Sequence, residues 1–248
     1  MDDLYDTTLI YMERTLQELC ARVPSPKSIP FKHSFVFRHT EQTIHQALVQ
    51  KLARLVSALD ACRLLLNHGL FQEQGAMQRI LDELNEDITF LSYGLIKNNK
   101  TALQIEYLKS FFEEEFDNES ALKSTQKRPT VSRRKIHAYN AQFMSPAVDQ
   151  STGIELLRTL SKTYSGFIHA ASPHIMDMYG GDPPKFHVRG MLGTEREAGY
   201  RKDIWNYFYR SIGSFALVAR AFGDTELLSQ VRSFSIEFER QSGQTAVQ

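Results

Sequence analysis

The sequence predicts an all-α protein, a helical bundle built around a long antiparallel helix hairpin. Three observations carry that prediction. Apolar residues recur at steps of three or four along two long neighbouring segments, the period of an amphipathic helix. Only a few residues separate those segments, the length of a connection between antiparallel helices. Strand signals are few, and the best, "SFVFRH" at 34–39, is short and has no evident partner.

The elements follow in chain order. Residues 3–22 carry Leu4, Leu9, Met12, Leu16 and Leu19 at helical spacing, and "PSPKSIP" then forbids continuation. Residues 24–38 read as a loop. The first long helix carries Ile44, Leu48, Leu52, Leu55, Leu59, Cys62 and Leu66 on one stripe, and Gly69 marks its end. The second carries Met77, Ile80, Leu81, Leu84, Ile88, Leu91 and Leu95. Shorter helices are predicted over 101–116, 152–170 and 195–222, and a last one near "GDTELLSQV", where Asp224 or Thr225 offers a cap. Residues 118–150 and 171–194 read as linkers or long interhelical loops. No internal repeat of fixed period is present, and residues 1–248 read as one domain.

Composition narrows the class. Hydrophobic residues make up 42% and aromatics 11%, sufficient for a sizeable core. Lys plus Arg and Asp plus Glu both number 29, which argues against a surface that coats nucleic acid as a whole. Cys20 and Cys62 are the only cysteines and share no Cys-x-x-Cys motif, so neither a disulfide framework nor a cysteine metal site is expected. The N-terminus opens acidic, without the basic and apolar regions of a secretory signal. No apolar run approaches membrane-spanning length. The expectation is a cytoplasmic protein with no membrane contact.

One block shifts in charge. "SFFEEEFDNES" is acidic; the stretch after it carries Lys123, Lys127, Arg128, Arg133, Arg134 and Lys135 without an acid. Such a block reads first as a solvated linker. Its functional alternative is a phosphate-contacting segment, with Lys127, Arg128, Arg133, Arg134 and Lys135 as nucleic-acid-binding residues and His137 and Tyr139 close enough to stack on bases.

Three further groups could carry chemistry. Asp82, Glu83, Glu86 and Asp87 fall within two turns, an arrangement that can hold a di-metal site; no Glu-x-x-His accompanies them, so a solvated or salt-bridged face is expected, with Arg79 neutralising Glu83. His174, Asp177 and His187 are separated by a Gly/Pro-rich turn and read as part of a connecting loop rather than a zinc site. Arg158, Lys162 and His169 share a side of one helix: at 100° per residue, seven residues bring Lys162 within about 20° of His169, and Arg158 lies about 16 Å away along the axis. Cations behind a histidine suit phosphate binding and proton transfer. "YRKDIWNYFYR" is aromatic on more than one face and is expected in the core or an oligomer interface, with Tyr200, Trp205, Tyr207 and Tyr209.

"GAMQRILDELNEDITFLSYGL" and "LSKTYSGFIHAAS" resemble two helices of bacterial HEPN-like all-helical proteins, a resemblance that covers residues 40–172. It implies a helical fold, a dimer, and ribonuclease activity of the kind found in toxin and phage-defence systems. His169 falls on the family's histidine; with six residues between them, the position of the family's arginine is Lys162 here. Lysine lacks the planar fork that grips phosphate at two points. The expected function is therefore a helical interaction or regulatory protein without conventional catalysis, needing no cofactor or metal, with a homodimer or helical protein as partner. The alternative is a HEPN-like RNA-binding or RNA-cleaving protein using His169, Lys162 and Arg158, a ribonuclease if an enzyme.

Overall fold

The computed structural model describes residues 1–31, 33–114, 118, 120, 122–125, 130–144 and 149–245. It is mostly helical: α1 (Asp2–Cys20), α2 (Ile44–Asn67), α3 (Phe71–Ile96), α4 (Ala102–Phe112), α5 (Arg133–Asn140), α6 (Gln150–Ile168), α7 (Ser172–Met176), α8 (Glu197–Ala221) and α9 (Thr225–Ser242). Strands β1 (Lys27–Phe31) and β2 (Ser34–Arg38) pair with each other, as do β3 (Tyr179–Gly180) and β4 (Lys185–Phe186). Among the described residues no helix is long and apolar enough to cross a membrane.

Local chemistry sets the helix ends. The first turn of a helix has N–H groups without intrahelical acceptors, and short polar side chains supply them. Thr43 and Gln46 form a reciprocal capping box at α2, and Thr101 and Gln104 form another at α4. Asp149 accepts from the Ser151 and Thr152 N–H groups, and Asp224 from that of Leu227. α2 stops at Gly69, whose φ of 68° suits glycine. A Cβ there would also lie 2.7 Å from the Leu192 nitrogen, so the chain after β4 can cross this corner only over a glycine.

α3 occupies the middle of the packing. α2, α4, α5, α6 and α8 all lie against it, and its longest shared surfaces are with α2 and α8. Leu81, Ile88, Phe90 and Leu91 are fully buried, and polar positions between them are buried as well. The aromatic stretch of α8 goes into the core: Trp205, Tyr207 and Phe208 are buried, Tyr5 stacks on Phe208 with ring centroids 4.4 Å apart, and Tyr200 stacks on Phe71 at 4.7 Å.

Three expectations about connections need correction. Residues 24–38 are not a loop but hold the β1–β2 hairpin, in which Pro30 faces Phe35 and Ile29 faces Val36. "SFVFR" does have a partner, "KSIPF", whose proline and lysine hide its strand character in the sequence. The 118–150 region contains α5 and a 3-10 turn (Ala141–Phe143), because Ile136, His137 and Asn140 give the basic segment one buried side. The 171–194 region contains α7 and the β3–β4 hairpin.

Candidate functional site

Arg158, Lys162 and His169 lie on the exposed side of α6. Arg158 pairs with Glu155 of its own helix at 2.8 Å, and His169 is the residue that ends α6. Among the described residues, no hydrogen bond or ion pair joins the three. His174 and His187 separate: the His174 ring packs edge-on against Phe167, with its Nε2 3.3 Å from the Thr163 carbonyl, and His187 Nε2 lies 3.1 Å from the Gly180 carbonyl. Asp177 is taken by Arg196 at 2.7 Å. Among the described residues, no cluster of three or more histidine, cysteine or acidic residues has a metal-binding arrangement.

The basic segment divides. Lys127 and Arg128 lie outside the described residues, and Arg134 and Lys135 are exposed on α5. Arg133 turns inward instead. Its Nη2 donates to Asp87 Oδ1 at 2.5 Å and its Nη1 to Glu86 Oε2 at 3.2 Å. His137, one turn on, lies buried with Nε2 3.0 Å from the same Glu86 oxygen. Tyr139 packs edge-on against Phe90. Neither His137 nor Tyr139 is an open stacking platform, because the side of α5 that bears them is pressed onto α3.

The acids of α3 take the salt-bridged of the two expected forms, and most of them do so out of water. Glu83 is at the surface with Arg79, 2.7 Å away, as the spacing predicts. Asp82, Glu86 and Asp87 are the salt-bridged alternative rather than the solvated one, and all three are buried. Each is matched by donors from other helices. Asp82 accepts from Arg210 at 2.7 Å and from the Tyr207 hydroxyl at 3.2 Å, both on α8. Asp87 accepts from Lys51 of α2 at 2.7 Å and from the Tyr107 hydroxyl of α4 at 2.6 Å, besides Arg133. Asn85 accepts from the Ser214 hydroxyl at 2.6 Å, and Asn140 Nδ2 donates to the Glu86 carbonyl at 2.9 Å. A buried charge without a partner is strongly unfavourable, so these contacts fix the register of four helices on α3.

Burial and pairing oppose each other here. Burial pushes the Asp82 carboxyl above its ordinary value, and the Arg210 guanidinium pulls it part of the way back. The Tyr107 hydroxyl is driven far up by burial and then by the Asp87 carboxylate beside it. Tyr207 is driven up by burial and by Asp82. Both phenols therefore stay protonated as donors. For Arg133, burial opposes the charge, but Asp87, with Glu83 and Glu86, more than restores it, and its pKa ends raised.

Beside this array a cleft of about 340 Å³ opens between α3, the 3-10 turn, α6 and α8. Its polar lining includes Glu86, Asn140, Arg210 and Ser214; its apolar lining includes Tyr93, Phe143, Leu157 and Leu217. Tyr93 and Phe143 stack with ring centroids 3.8 Å apart.

The array left signals in the sequence. Arg133 and His137 stand four apart and reach one carboxylate; Tyr207 and Arg210 stand three apart and reach another. Local spacing does not show that α3 is packed by five other helices. Fold and array together define a mostly helical protein whose central helix is braced by ionic contacts and flanked by an open amphipathic cleft. No family model, no curated protein and no solved structure matches the chain.

Proposed function

We propose that the protein is a helical interaction or regulatory protein, without conventional catalytic machinery, that acts as a homodimer. Its bundle is built around the antiparallel hairpin of α2 and α3, a reading supported by their short connection over residues 68–70 and their close packing. The observation that carries the interaction role is the β1–β2 hairpin. Phe35 and Phe37 are 58% and 63% exposed on one strand, their rings edge to face at 5.5 Å. A two-stranded sheet has two unpaired edges. Pro30 removes an N–H from β1, which leaves β2 as the edge with its donors intact. Two β2 edges are self-complementary about a two-fold axis, so the partner is a second copy. Light scattering tests this. A dimer is expected for the native chain, and a monomer of unchanged helicity for Phe35→Ser/Phe37→Ser; a native chain that stays monomeric at every concentration overturns the reading.

A second reading, a HEPN-like RNA-binding or RNA-cleaving protein, is favoured by one observation: Lys162, Arg158 and His169 are exposed on α6, and Arg134 and Lys135 are exposed on α5, which packs against α6. His169 would move the proton and the cations would hold phosphate, with Lys127 and Arg128 adding affinity. Arg133 would not contribute, since Glu86 and Asp87 hold it. RNA binding that weakens steeply with salt, and cleavage lost in His169→Ala, are expected; no binding at low salt removes this reading.

A further inference from the structure

We propose that the cleft between α3, the 3-10 turn, α6 and α8 is a binding site for a small zwitterion with an apolar body, of the class of α-amino acids with apolar or aromatic side chains. This goes beyond the interaction role, which needs no small molecule.

Three observations converge on it. The first is Gly213, which lies inside α8 and lines the cleft. Glycine is disfavoured in a helix interior relative to alanine. Gly213 has no positive φ to account for it, and a Cβ built on it would meet no atom of the described residues within 4 Å. Packing against the described residues does not require the glycine; the space it leaves belongs to the cleft.

The second is Asn140, which is only 6% exposed. Its Nδ2 donates to the Glu86 carbonyl, which fixes the amide's orientation, and its Oδ1 has no hydrogen-bond partner among the described residues. A buried acceptor left unmade is unfavourable, and a donor from a ligand would satisfy it.

The third is the charge pattern of the lining. Arg133 and His137 both use Glu86 Oε2, leaving Oε1 without a partner among the described residues. Arg210 uses Nη1 on Asp82, leaving Nε and Nη2 without one among the described residues. The polar end thus offers two acceptors, Glu86 Oε1 and Asn140 Oδ1, and a forked cationic donor. An ammonium group has three N–H donors for the acceptors, and a carboxylate matches the guanidinium fork. The carboxylates of Asp82, Glu86 and Asp87 are already balanced by Arg210, Arg133 and Lys51, so a ligand with no net charge preserves the balance. Tyr93, Phe143, Leu157 and Leu217 supply the apolar end, and a volume of about 340 Å³ suits a ligand of amino-acid size.

Calorimetric titration of the full chain with L-phenylalanine, 2-phenylethylamine and 3-phenylpropanoate tests the assignment. Each analogue lacks one of the two charged groups, so L-phenylalanine is expected to bind at least about tenfold more tightly than either. Gly213→Leu should weaken L-phenylalanine binding by at least about tenfold as its side chain enters the cleft, while the thermal midpoint stays the same or rises, since leucine is the better helix former. Gly213→Ala should retain binding. Absence of saturable binding by L-phenylalanine, L-leucine and L-tryptophan up to about 10 mM overturns the proposal, as does equal binding by the amine or the acid, or binding unaffected in a folded Gly213→Leu.

Discussion

α3 and α6 carry the same kinds of charged side chain and treat them in opposite ways. On α6, Arg158 pairs with Glu155 three residues away, and both stay in water. On α3, Asp82, Glu86 and Asp87 are buried, and their partners come from α2, α4, α5 and α8. Water screens the first pair, and its formation alters little. The carboxylates of the second set are shielded from water, with Arg210 the most exposed of their partners, so losing a partner leaves a buried charge unmatched. A charged residue is thus informative here mainly through what covers its helix.

Mutations can break or sharpen this contrast. The largest effect is expected from Asp87→Ala, which strips a shared acceptor from Arg133, Lys51 and Tyr107. Losing one member of a buried charged set typically costs about 3–5 kcal/mol, to be read from urea unfolding; a loss below about 1 kcal/mol would mean that water solvates the array. Tyr107→Phe removes one hydrogen bond to Asp87 and leaves the ion pairs, so about 1–2 kcal/mol is expected.

Asp82 gives a subtler test. Its native pKa is raised above 3.8 by burial, against the pull of Arg210. The native state then holds this proton more tightly than the unfolded chain does. The group's contribution to stability is full below about pH 3.8 and declines as pH rises through the raised native value. In unfolding measured across mildly acidic pH, Asp82→Asn should remove that decline; an unchanged slope would show that Arg210 fully compensates the burial. The smallest effect is expected from Arg158→Ala, within about 0.5 kcal/mol of the native chain. A larger loss would erase the contrast between the two helices.

How far the sequence could be read follows the same division. The helical stripes of α2 and α3, the cap at Asp224 and the Arg79–Glu83 pair depend on residues within a few positions of each other, and each was legible. The burial of "YRKDIWNYFYR" was legible too, because a helix aromatic on several faces has few other places to go. The β1–β2 hairpin was half legible, since β2 carries a strand pattern and β1 hides it behind Pro30. At Arg133 and His137 the sequence shows the chemistry, cation and imidazole, but not the surroundings: Glu86 stands where solvent or nucleic acid is expected.

The sequence by itself determined which segments are helical and where most of them begin, because periodicity, capping and proline act over one or two turns. It also determined that α3 carries a dense group of carboxylates. Only the tertiary structure decided that these face inward, that Lys51, Tyr107, Arg133, Tyr207 and Arg210 converge on them, and that a cleft with an unsatisfied Asn140 lies beside them. Whether a carboxylate is solvated or buried depends on how many neighbours its helix acquires, and those neighbours lie up to 128 positions away in the chain.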